Sequence, residues 1–196
     1  TVKMVGAAAT LDITTSGVAL GLDTGTRANN TWYHIYLVGK ADGTTTYTAS
    51  TNASVPAYLT GYIYCRRIAS FLTDGSANIV AYLQREDTFH FAASFADIAT
   101  ANMATTNALY ALTVPLGIRT RPIFDLGSST ASVNLLVFDG DAAGYAPGTS
   151  DISTSPGYNI SGGSAGSIER VADLYTNTAR QVRVRSNVST AELYAY

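Results

Sequence analysis

Residues 29–47 read "NNTWYHIYLVGKADGTTTY", and two features of that run set the class of fold. Thr31–Val38 is dense in aromatic and β-branched side chains, which suit a pleated, half-buried surface. The Asp-Gly of "KADGT" (40–44) then separates it from a second such run, Thr44–Ser50. Asp-Gly between two strand-like runs is a strong short-range signal for a hairpin. In an extended chain side chains alternate between faces, so Tyr33, Ile35 and Leu37 share one side, and Trp32, His34, Tyr36 and Val38 the other. Both sides are largely apolar, which predicts a central strand, covered on one face by an opposing sheet and on the other by a loop or another subunit. His34 sits between the only Trp of the chain and Tyr36. A catalytic base needs an acid or nucleophile within hydrogen-bond reach, and no local motif supplies one. His34 is therefore read as a packed structural histidine.

The same pattern of short Thr/Val/Ile/Tyr runs broken by Gly, Asn, Asp and Pro continues along all 196 residues. Strands are predicted at Leu11–Thr15, Thr31–Val38, Thr44–Ser50, Tyr62–Phe71, Ile79–Gln84, Thr88–Ala92, Ala108–Val114, Ile118–Leu126, Val133–Phe138, Ser167–Tyr175, Ala179–Ser186 and Ala191–Tyr196. Turn signals "TDGSAN" (73–78) and "DGD" (139–141) lie between them. The Ala-rich 91–110 reads as an irregular crossover with room for one helical turn. The Gly/Ser-rich 139–167 reads as a long surface loop, a type that is commonly functional. About a dozen short strands with regular turns predict an all-β fold, a β-sandwich of jelly-roll type with a long Gly/Ser-rich loop. No linker divides the chain, so 1–196 is expected to be a single domain. The opening residue is not Met, which fits either its removal or a piece of a longer chain.

Composition narrows function mainly by exclusion. Hydrophobic residues make up 46% and charged residues 13%, with a formal net charge of −2. Nothing in that balance draws the chain toward nucleic acid or anionic membranes, and no apolar run suits a membrane-spanning helix. Cys65 is the only cysteine and the two histidines, His34 and His90, are far apart. No internal disulfide, metal site or cofactor is expected. Asp139, Asp141 and Asp151 lack the spacing and terminal Glu of a calcium loop and are read as turn-capping residues. Glu86, Asp87 and Glu169 are the nearest candidates for a glycosidase pair, but nothing marks two of them as facing across a cleft. P-loop and GxGxxG motifs are missing, and no catalytic residue is assigned. Arg183 and Arg185 alternate with Val182 and Val184, as on a solvated strand face whose charges discourage edge pairing. Arg66 and Arg67 are adjacent on a predicted strand, so one of them should point inward toward a carboxylate, with Asp74 and Asp23 as partners. Among thirteen tyrosines, Tyr145 and Tyr158 fall in the long loop and are the candidate ligand-binding residues, because exposed aromatic rings stack on sugars and enrich binding surfaces.

Residues 21–56, "GLDTGTRANNTWYHIYLVGKADGTTTYTASTNASVP", and 61–91, "GYIYCRRIASFLTDGSANIVAYLQREDTFHF", resemble a recurrent module of tailed-phage and prophage tail-fibre-like proteins. That module has a "GLDTG…TWYH" strand, an "ST…P…GY…RRI" segment and a "DGSGNI…Q.GD.F" hairpin. Cys65 stands where Lys or Gln is common, and "REDTFHF" replaces a more usual "GDEFLW". The resemblance implies a virion structural protein, not an enzyme, assembled in the bacterial cytoplasm as a homotrimer among other virion proteins. It would act as a tail-fibre or receptor-binding module that contacts a host surface glycan or protein. Capsid decoration or a head fibre is the alternative within virions, and a glycan-degrading enzyme is the alternative outside them. Trp32, Tyr33, His34, Arg66, Arg67 and Asp74 carry over from the module as fold-defining residues only.

Overall fold

The computed structural model describes residues 6, 8–17, 19–57, 60–85, 88–100, 103–128, 133–142, 158–162, 167–186 and 193–195. Every regular element among them is a β-strand. The protein is all-β, built from several antiparallel sheets. The chain divides into two compact units, 1–92 and 93–196, where the sequence showed no linker to mark a boundary.

In the first unit, β1 (Trp32–Gly39) lies between β2 (Thr45–Ser50) and β3 (Tyr64–Leu72). The hairpin read from "KADGT" is present. Gly39 pairs with Thr45, the Lys40 amide donates to the Thr44 carbonyl at 2.8 Å, and Asp42 Oδ1 accepts the Thr44 amide at 2.8 Å. Gly43 has φ +90°, a backbone conformation that disfavours any side chain. β1 is central and buried on both parities. One of its faces contributes Tyr33 and Ile35 to a core with Ile13, Leu22, Ala49 and Phe71. Leu11–Thr15, expected as a strand, instead forms a turn, with Asp12 accepting the Thr14 amide and hydroxyl. It covers that core as a loop. A separate hairpin, β4 (Tyr82–Arg85) with β5 (Thr88–Phe91), completes the unit.

The second unit holds two four-stranded sheets. One has the order β10 (Tyr158–Gly162), β9 (Val133–Phe138), β12 (Gln181–Ser186), β7 (Ala108–Ala111). The other has the order β11 (Ser167–Val171), β8 (Phe124–Ser128), β13 (Leu193–Ala195), β6 (Ile98–Thr100). Buried side chains of both sheets share one core: Leu135, Val137, Val182 and Val184 from the first meet Ile98, Phe124, Leu126 and Val171 from the second. The unit is therefore a β-sandwich. Full burial of side chains of this kind is worth about 1.5–3 kcal/mol each, which makes this cluster the main stabiliser of the unit.

The pairings are nested. β9 pairs with β10, β8 with β11, β7 with β12 and β6 with β13, so the chain is one long hairpin doubled over on itself. Cross-links β12–β9 and β13–β8 close the two sheets. Two of these strands fall where the sequence suggested none. β6 lies in the Ala-rich crossover, and its three residues are too few to show a period. β10 lies in the Gly/Ser-rich segment, where pairing with the apolar β9 outweighs weak local propensity.

Candidate binding surface

The residues singled out around Trp32 form a wall. Tyr33 stacks on Phe71 with ring centroids 5.4 Å apart, and its hydroxyl accepts the Ala28 amide at 2.9 Å. Trp32 meets Phe91 edge-on at 6.2 Å. His34 has no exposed surface, lies in register between Ser50 and Ser70, and places Nδ1 2.8 Å from the Ser70 hydroxyl. A polar row thus crosses the sheet inside an otherwise apolar layer. Tyr36 donates its hydroxyl to the Asn52 carbonyl at 2.8 Å. Burial pushes its phenol pKa up, against a smaller downward pull from Arg67.

Arg66 and Arg67 correct the expectation that one of them turns inward. Both are exposed, and Arg67 Nη1 donates to the Ala53 carbonyl at 2.9 Å. β3 is an edge strand of its sheet, and its first half is uncovered on both parities, with Tyr64, Arg66, Arg67 and Ile68 all exposed. Beside the pair, Ile35 faces Ala69 but Tyr36 faces Arg67, so Ile68 is an extra, bulged residue. The two carboxylates proposed as partners serve backbone amides. Asp23 accepts the amides of Thr24 and Ala57, each at 2.7 Å. Asp74 accepts those of Ser76 and Asn78 at 2.8 and 2.9 Å, which holds its pKa below the usual aspartate value, the Asn78 amide contributing most.

Tyr145, Asp151, Glu86 and Asp87 lie outside the described residues. Tyr158 begins β10 opposite Val137, and Glu169 lies on β11 opposite Leu126; the side chains of both are outside the described set. Arg183 and Arg185 are half-buried on β12, alternating with the buried Val182 and Val184. Asp139 and Asp141, considered as calcium ligands, are engaged separately. Asp139 Oδ1 accepts the Tyr175 amide at 2.6 Å, and Asp141 pairs with Arg119 at 2.8 Å.

These last contacts belong to a surface that sequence reasoning did not single out. Three segments meet at one end of the sandwich's strands, before β8, after β9 and between β11 and β12: 119–123, the "DGD" turn at 139–141, and 173–181. The Thr120 and Thr176 hydroxyls lie 3.0 Å apart, and the Thr176 amide donates to the Thr120 carbonyl at 2.9 Å. The Gly140 amide donates to the Tyr175 carbonyl at 2.9 Å, and a Cβ on Gly140 would run into the Gln181 carbonyl and the Asn177 amide. Asn177 and Gln181 are joined through both side chains and backbone. On this rigid base stand Arg119–Asp141 and Arg121–Asp173, both exposed ion pairs, with Arg170–Asp125 farther along the sheet. In the same segments, Ile123 is 60% exposed and Tyr175 46%. The signal was present in "RTRPIFDL", 119–126. One parity holds Arg119, Arg121, Ile123 and Asp125, the other Thr120, Pro122, Phe124 and Leu126.

Among the described residues, no group of three or more His, Cys, Asp or Glu side chains is placed to hold a metal ion. Comparison of the chain with protein-family models, curated proteins and solved structures finds no match.

Proposed function

We propose that this protein is a structural component of a bacteriophage particle, without catalytic activity, serving as a tail-fibre or receptor-binding module. The observation that carries the reading is the nested wiring of the second unit, eight strands in two four-stranded sheets around one core. Such wiring supports the jelly-roll reading, an architecture widely used by viral capsid and lectin domains. Fold alone does not define function. The resemblance of residues 21–56 and 61–91 to a tailed-phage module, in the other unit, supplies the second support. Composition and surface agree: few charges overall and several exposed apolar residues, including Ile63, Ile68 and Leu83, suit packing among subunits. Assembled as a homotrimer, weak contacts with a host glycan or protein would gain strength through multivalency.

Immunogold electron microscopy of the producing phage, with antibody raised to this chain, tests the assignment. Gold at the tail tip or baseplate is the expected result. Gold distributed over the capsid would replace adhesion by decoration, and unlabelled particles would remove the virion reading. Light scattering on the purified chain should give three times the 20.6 kDa protomer mass.

A further inference from the structure

We infer that Tyr175, with the Arg119–Asp141 and Arg121–Asp173 pairs beside it, is a docking platform for a neutral carbohydrate. This deepens the adhesion reading and rests on it for its biological setting. The binding claim itself stands on the surface described above. Tyr175 is held through its backbone at both ends, by Asp139 Oδ1 on its amide and by the Gly140 amide on its carbonyl. Those two bonds fix the base of the side chain while leaving 46% of the residue exposed. A half-exposed ring on a pinned backbone loses little conformational freedom when it is covered. Its apolar face suits the C–H face of a pyranose, and its hydroxyl suits the ring's substituents.

The ion pairs decide which kind of ligand fits. Arg119, Arg121 and Arg170 are each already matched by a carboxylate, so these pairs offer donors and acceptors but little uncompensated charge. An acidic polymer would have to displace Asp141 or Asp173, and a basic one would have to displace an Arg. A polyhydroxylated neutral ligand can hydrogen-bond to the outward lone pairs and N–H groups of the pairs as they stand. The exposed Ile123 next to Arg121 extends the apolar part of the surface.

Affinity electrophoresis of the intact chain in native gels cast with dextran, galactomannan or glucomannan, and with alginate as the acidic control, tests this. The expected result is retardation by at least one neutral polymer and none by alginate. Tyr175→Ala should weaken the retardation about tenfold, in line with a lost aromatic contact, and Tyr175→Phe should keep most of it. Both variants retain the backbone bonds of residue 175, and unchanged melting curves would verify that they fold. Migration unaffected by all three neutral polymers, equal retardation of wild type and Tyr175→Ala, or retardation by alginate alone would each overturn the proposal. A change of sedimentation in Tyr175→Ala without polysaccharide binding would also overturn it, in favour of a contact between copies. Retardation by a chain that immunogold fails to find on particles would uphold the platform and remove only the virion reading.

Discussion

His34 is a polar side chain inside an apolar layer, and its energetics follow from its surroundings. Its ring is fully buried and bonded to Ser70. Truncation leaves both a cavity and a buried hydroxyl without its partner. His34→Ala should cost about 2–4 kcal/mol, read as a lower urea midpoint, and an unchanged midpoint would contradict the burial. Tyr36, two residues along the same face, gives a second test. Its folded pKa is raised, so the folded state holds its proton after the unfolded chain has released it. The stability tied to Tyr36 is thus complete below the ordinary tyrosine pKa and is lost as pH rises through the higher folded value. Burial raises the pKa of Tyr82 as well, so ultraviolet titration of phenolate should show a late component that shrinks in Tyr36→Phe and disappears only when Tyr82 is also replaced by Phe. Apolar residues on both parities of 32–38 made the burial of this strand legible in the sequence. The exposure of both Arg66 and Arg67 was not legible, because the edge position of β3 is set by strand order and leaves no local mark.

Turns and strands depended on different information. "KADGT" and "TDGSAN" could be read because Asp caps its own turn within a few residues, a local interaction that needs no tertiary structure. β6 and β10 could not, since each is held by a distant neighbour and not by its own composition. The "DGD" turn lies between these cases. Its turn character is local, but the need for Gly140 comes from the Asn177–Gln181 backbone packed against it. Gly140→Ala should therefore destabilise the second unit by about 1–3 kcal/mol, whereas Gly75→Ala, where a Cβ would meet open space, should change stability by less than about 1 kcal/mol. Denaturant melts of the two variants, compared side by side, check this. A Gly140→Ala protein as stable as wild type would contradict the close approach.

For the whole molecule, the sparse charge noted at the outset has a measurable consequence. The three side-chain ion pairs found among the described residues are all solvent-exposed, and pairs of that kind contribute roughly 0–1 kcal/mol each. Stability then rests on the apolar clusters of the two units, which salt screens hardly at all. Raising NaCl from about 50 to 500 mM shortens the Debye length severalfold yet should move the melting temperature by only a few degrees. A large drop would show that charge pairing carries more of the fold than its geometry indicates. All-β architecture was legible at this scale from periodicity alone. The division into two units was not, because residues near 92 have the same Ala/Thr/Phe composition as the segments on either side.

The nested pairing of the second unit also governs how it can be made. β6, its first strand, waits for β13, the last of the described strands to leave the ribosome, while the innermost pair, β9 with β10, can close early and β8 can meet β11 before β13 is made. During synthesis the sandwich can therefore zip from its middle outward, with β6 left open to chaperones or neighbouring chains until translation reaches Leu193–Ala195. A nascent chain stalled before that point would present open sheet edges to any polysome neighbour.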